Sequence, residues 1–174
     1  MSKRGKAELV GALVGGGCVF AVCGLAIFRE LCPTPRPAVQ GARLPPPPSY
    51  SWRSHPYTLL LAMRAGCPYC ERSMGFYGEL AALGQFPGGS VHLLAVFPDN
   101  RHEVEGVALR LHGIDILTDT HLSSLGVTGT PTILLVNDAG VVQDVWVGML
   151  SSEGQGELMK CVRRHGGLAE QRSP

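Results

Sequence analysis

Twenty consecutive residues, 9–28, carry no charge (LVGALVGGGCVFAVCGLAIF), and this block divides the chain into two different objects. A helix rising roughly 1.5 Å per residue over that length crosses about 30 Å, the hydrocarbon thickness of a bilayer. Lys3, Arg4 and Lys6 precede the block with only Glu8 against them, whereas Arg29 beyond it is offset by Glu30. The positive excess predicts residues 1–8 on the cytoplasmic side, a transmembrane helix over 9–28, and the rest of the chain outside. A cleaved signal peptide has a shorter apolar core followed by small residues at the cleavage point. The exit here is Phe28-Arg29-Glu30-Leu31-Cys32, which reads as a retained anchor. Cys18 and Cys23 inside the span read as small apolar fillers.

Residues 29–52 hold Pro33, Pro35, Pro37 and the run Pro45-Pro46-Pro47-Pro48. Such a stretch excludes a regular helix and favours an extended spacer of about 3.1 Å per residue. Cys32 at its start is either an idle thiol or half of an intermolecular disulfide. Residues 53–174 then supply about 120 residues, enough for one core. A net charge of +1 with no polybasic run argues against a nucleic-acid partner, and 45% hydrophobic residues exclude disorder throughout.

From Tyr57 the pattern alternates. Residues 57–63 are a short apolar run of strand length. A helical stretch follows to about Leu83, with Cys70, Met74, Tyr77 and Ala81 on one face and Gly84 and Pro87-Gly88-Gly89 as its stop. Residues 91–97 read as a buried strand and 101–112 as a helix with Val104, Val107, Ala108 and Leu111 on its apolar stripe. Residues 114–117 are a short extended piece and 121–126 a helical turn. Two strands, 132–136 and 141–147, join through Asn137-Asp138-Ala139-Gly140, and a last helix covers 157–164 with Leu158, Cys161 and Val162 on one side. The expected product is an α/β domain: a mixed sheet with helices on both faces.

Two motifs carry chemistry. Cys67-Pro68-Tyr69-Cys70 falls where the first strand gives way to the first helix. This spacing places both sulfurs at the first helical turn, close enough for a disulfide. The unpaired N–H groups and partial positive charge there stabilise a thiolate, and Pro68 fits an early helical position. Thiolate Cys67 would attack a substrate disulfide and Cys70 would resolve the mixed disulfide. The second motif is Gly129-Thr130-Pro131-Thr132 just before a strand, where a cis proline would turn the Thr130 backbone towards a bound peptide.

In this order, each at its strand boundary, the motifs make the chain resemble the thioredoxin superfamily. Within it the chain is similar to the membrane-anchored, TlpA-like redoxins, which include extracytoplasmic thiol reductases of cytochrome maturation. The resemblance covers residues 57–161. It rests on Cys67-Pro68-Tyr69-Cys70, on the segment from Leu125 through Gly126, Val127, Thr128, Gly129, Thr130 and Pro131 to Thr132, and on 141–150 with Trp146 and Gly148. The stretch between Asp99 and Asp119 matches the insertion that separates this branch from minimal thioredoxins. What the resemblance implies is a thioredoxin-like mixed sheet flanked by helices and a thiol-disulfide exchange site at Cys67 and Cys70. Thr130 and Pro131, with Pro68 and Tyr69, would face the substrate. Protein thiols and disulfides would be the partners, with a membrane electron donor if the chain works as a reductase, and no cofactor. The location implied is the outer side of a bacterial cytoplasmic membrane.

Three positions depart from the family pattern. Gly66 replaces the usual aromatic residue before the first cysteine, Leu61 replaces a buried acid, and Gly75 stands where a helix-kinking proline is frequent. Without the acid, Cys70 must lose its proton to water or to another group.

The rival readings use the same residues. Cys67 and Cys70 could form a structural disulfide or hold copper, as in a metallochaperone or a docking module, although six scattered histidines offer no evident further ligands and no metal site is expected. A peroxidase would need a threonine where Arg64 stands. His121 reads as an exposed polar residue near the Thr130 loop. Cys161 reads as a core filler, Trp146 and Tyr77 as packing, and Asp99, Asp115 and Asp119 as turns or caps.

Overall fold

A computed structural model describes residues 38–84 and 90–166. The expected cytoplasmic segment 1–8, the transmembrane segment 9–28 with Cys18 and Cys23, and 29–37 with Cys32 lie outside the described residues, as do Pro87-Gly88-Gly89 and 167–174. Among the described residues no helix is long and apolar enough to cross a membrane.

β1 (Tyr57–Ala62) is apolar on both faces and takes the centre of a five-stranded sheet. On one side it pairs in parallel with β2 (Val91–Val96), which pairs in parallel with the three-residue β3 (Asp115–Leu117). On the other side β4 (Thr132–Asn137) runs antiparallel, followed by β5 (Val142–Val147), giving the order β3-β2-β1-β4-β5. The sheet is therefore mixed, as the sequence predicts. Asn137 Oδ1 closes the β4–β5 turn by accepting from the N–H groups of Ala139 at 3.1 Å and Val141 at 2.9 Å.

The helices are α1 (Pro68–Gly84), α2 (Arg101–Ala108) and α3 (Ser152–His165). Their buried residues, among them Met74, Tyr77, Val104, Leu158 and Val162, share one core cluster with Leu59, Leu61, Leu93 and Leu135. This corrects the expectation of helices on both faces. Successive right-handed crossovers from β1 to β2 to β3 advance in one direction and so place α1 and α2 on the same side. The opposite face packs Leu60, Leu94, Leu134 and Val136 against a 3₁₀ turn (Leu122–Leu125) and against Leu44 and Trp52 from the chain ahead of β1.

That preceding segment, expected as the end of a spacer, is bonded to the domain. Ala38 N–H donates to the Gly126 carbonyl (2.7 Å), Gly41 N–H to Val142 (2.8 Å) and Leu44 N–H to Gly140 (2.8 Å). Trp52 is buried and its indole N–H reaches the Leu44 carbonyl at 3.1 Å. Gly140, at φ +75°, is where this strap crosses the hairpin. A Cβ there would meet Trp52 Cδ1 at 2.8 Å and the Leu44 carbonyl at 2.9 Å.

Two helix boundaries move. α2 stops at Ala108 rather than His112, and residues 109–111 close as tight turns through Arg110 N–H to Val107 and Leu111 N–H to Ala108, both at 3.0 Å. α3 begins five residues before the expected Glu157, because Ser151 caps it by accepting from Gly154 N–H at 3.3 Å.

Candidate active site

The strand-to-helix junction is built by the loop 64–67. β1's last hydrogen bond on this side is Met63 N–H to the Val96 carbonyl, at 2.9 Å. Asp99, on the loop after β2, then accepts from Ala65 N–H at 2.8 Å and pins the turn. Gly66 takes φ +68°, a left-handed conformation that an aromatic residue adopts only at a cost, which accounts for the glycine at this position.

Cys67 is the residue on which α1 starts. Its carbonyl accepts from Glu71 N–H at 3.0 Å, and its sulfur accepts from Cys70 N–H at 3.4 Å. The sulfur thus occupies the place of an N-cap oxygen, against the positive end of the helix. Pro68 follows as the first helical residue, where no N–H is needed. Cys67 is half-buried, whereas Cys70, on the inner side of the same turn, is 2% exposed.

Thr130 comes to the sulfur from the loop before β4, the antiparallel neighbour of β1. Its hydroxyl donates to Cys67 Sγ at 3.5 Å, and its carbonyl lies 3.5 Å from the same sulfur, in reach of the thiol proton. The Thr130–Pro131 peptide is cis. Two bonds fix this corner: Thr132 Oγ1 to the Gly129 carbonyl at 2.8 Å, and Gly148 N–H to the Pro131 carbonyl at 2.7 Å.

The two thiols sit in opposite electrostatic settings. Burial works to raise Cys67, but hydrogen bonds from the Cys70 thiol, the Thr130 hydroxyl and the backbone of Cys70 and Tyr69 outweigh it, and its pKa falls below the ordinary thiol value. Burial, followed by the neighbouring Cys67 sulfur, pushes Cys70 up to about 12. The other groups acting on Cys70 are the Arg64 backbone and Thr130; no carboxylate is among them. Leu61, in place of the familiar acid, is fully buried in the core. The arrangement therefore holds one sulfur as a nucleophile facing solvent and keeps the other as a protonated reserve beneath it.

The sequence-predicted residues are thus brought together at one end of the sheet. Cys67, Cys70 and Thr130 are in mutual contact. Pro68 and Tyr69 form the exposed rim, with the Arg72 guanidinium 4.7 Å over the Tyr69 ring. Three features escaped the sequence reading: the Thr130 side chain as a direct sulfur ligand, Asp99 as the clamp on the loop, and Arg64 and Arg72 as flanking cations. The first is a contact across 63 residues of chain. For Asp99 the only local signal was a turn beside the helix cap at Asn100, which says nothing of Ala65.

Cys161, on α3, belongs to the same core cluster as Cys70 but has its own polar neighbours. Its sulfur is 3.4 Å from Asp144 Oδ2 and 3.7 Å from His165 Nδ1, and burial and Asp144 raise its pKa to about 11. It is a buried, protonated thiol, as a core filler should be. Among the described residues no group of three or more His, Cys, Asp or Glu is arranged to hold a metal ion.

No family model matches the chain. No curated relative matches it either. Solved structures do. A protein from Chlorobium tepidum assigned as thiol:disulfide interchange protein DsbE is 18% identical over 74% of this chain and 99% of its own, with a TM-score of 0.61. A thiol:disulfide interchange protein from Bacteroides sp. is 15% identical over 77% of this chain and 95% of its own, with a TM-score of 0.54. The thioredoxin domain of a thiol-disulfide oxidoreductase from Bacteroides vulgatus is 16% identical over 72% and 99%, with a TM-score of 0.52. At such identities the likeness speaks for architecture: the described domain has a thioredoxin-like fold.

Proposed function

We propose that the chain is a thiol-disulfide oxidoreductase that exchanges disulfides with proteins through Cys67 and Cys70. The observation that carries this reading is the asymmetry of the pair. Cys67 Sγ is half-exposed and receives hydrogen bonds from Cys70 N–H and Thr130 Oγ1, while Cys70 is buried and protonated. In the reducing direction the Cys67 thiolate attacks one sulfur of a substrate disulfide. A new S–S bond forms, the substrate S–S bond breaks, and the departing thiolate takes a proton from water. Cys70 then loses its proton and attacks Cys67 Sγ, which releases the second substrate thiol and leaves a Cys67–Cys70 disulfide. Two electrons pass to the substrate. The oxidising direction is the reverse. Among the described residues no carboxylate acts on Cys70, so its deprotonation relies on water.

The uncharged block 9–28 and the charge bias around it support an anchor that holds the domain on the outer side of a bacterial cytoplasmic membrane, where a membrane electron donor would recharge it. Digestion of the domain by protease added to spheroplasts with an intact cytoplasmic membrane, under conditions that leave a cytoplasmic marker protein undigested, tests that placement; protection of the domain there would overturn it.

The test of activity is turnover of insulin or a peptide disulfide by the full chain. Cys67→Ser should abolish it. Cys70→Ser should instead accumulate a mixed disulfide at Cys67, seen as a mass increase that dithiothreitol removes. Equal turnover by wild type and Cys67→Ser would overturn the proposal.

A further inference from the structure

The surface around Cys67 carries positive charge that the exchange step does not use. Arg64, in the loop after β1, and Arg72, in the first turns of α1, are exposed, and neither enters an ion pair among the described residues. Arg72 is held at the rim by its Nε bond to the Pro68 carbonyl, at 3.3 Å. Beside the sulfur opens a cleft of about 340 Å³, to which Arg64, Pro98, His121, Ser123, Thr128 and Thr130 contribute. Among the described residues no Asp or Glu lines it. Two acids of the adjoining loops are hydrogen-bonded within those loops: Asp99 Oδ2 accepts from Ala65 N–H at 2.8 Å, and Asp119 Oδ2 from the Thr118 hydroxyl at 3.0 Å.

Thr130 belongs to both features, since its hydroxyl touches Cys67 Sγ and its residue walls the cleft. The cleft therefore begins where the reacting sulfur ends. An extended substrate advances about 3.3 Å per residue, so a chain with its sulfur at Cys67 delivers the next one or two side chains into this space.

We propose that this cleft is a specificity subsite for an acidic side chain next to the substrate's cysteine. Arg64 is the counter-ion, and His121 and Ser123 are its hydrogen-bond partners. The inference rests on the thiol-disulfide reading above and adds the substrate class: polypeptide disulfides flanked by Asp or Glu. The covalent step is the exchange already written, and the subsite contributes binding and encounter only. Charge complementarity of this kind acts chiefly on association and weakens as salt rises.

The experiment uses the reduced full-length chain in a nonionic detergent. Its substrates are three peptide disulfides that differ only in the residue flanking cysteine: Glu, Gln or Lys. At low ionic strength the Glu peptide should react about tenfold faster than the Lys peptide, and the ratio should collapse towards one in about 0.5 M salt. Arg64→Glu should abolish or invert the ratio. Arg53→Glu, an equal charge change in the strap, should retain it, which separates a local subsite from net charge. Equal rates for the three peptides, or a ratio that survives Arg64→Glu, would overturn the subsite while leaving disulfide exchange in place. If none of the three reacts, the exchange reading falls and the subsite falls with it.

Discussion

The chemistry of the site comes down to one sulfur that accepts hydrogen bonds and one that accepts burial. The Cys67 thiolate gains the Cys70 N–H and the Thr130 hydroxyl, and both hydrogen bonds favour the charged form. A group whose charged form is favoured titrates at lower pH. The rate of Cys67 alkylation by iodoacetamide should therefore rise with pH through a midpoint below that of an ordinary cysteine thiol. Thr130→Val should move that midpoint upward by removing one donor. Cys70, pushed up to about 12, should stay unmodified across the neutral range in the folded protein. A Cys67 midpoint at or above that of free cysteine would contradict this account. The motif itself was legible in four adjacent letters, because helix-start chemistry is local. The Thr130 side-chain contact was not, since only folding brings residue 130 to residue 67. The sequence pointed to Thr130 through its backbone alone.

Secondary structure was legible where periodicity and length agree. The stripe of Cys70, Met74, Tyr77 and Ala81 identified α1, and all four side chains are buried in the structure. Helix ends were less legible because they depend on caps. Gly154 and Gly156 masked the start of α3, although Ser151 supplies the cap that allows it. Gly75 and Gly78 place a similar burden on α1. Both are exposed within the helix, and a Cβ at either position meets nothing within 4 Å. Gly75→Ala and Gly78→Ala should therefore each stabilise the protein by about 0.5–1 kcal/mol, read as a higher urea midpoint with unchanged slope. A lower midpoint for either would show that the missing side chain serves close packing against something other than the domain's own atoms.

At the scale of the molecule, the covering of the second sheet face was the least legible feature. A proline run reads the same whether it stands free or lies docked. The evidence for docking is dispersed among isolated apolar residues, Leu44, Pro47 and Trp52, which show no period. In the structure these residues complete a core that three helices on one side leave half-covered. Trp52→Ala should accordingly cost about 3–5 kcal/mol in the full chain, the range for removing a buried aromatic side chain. Denaturant unfolding followed by far-ultraviolet circular dichroism measures it. A loss below about 1 kcal/mol would mean that the strap merely decorates the surface.

The same strap has a mechanical consequence. Its bonds from Ala38 to Gly126, Gly41 to Val142 and Leu44 to Gly140 succeed one another along the chain ahead of β1. A pull on the N-terminal end loads them one after another, like a zip, before any tension reaches the central strand. The strap peels first and adds its own length to the chain ahead of β1, so the cysteine pair at the far end of β1 keeps its geometry until that slack is spent.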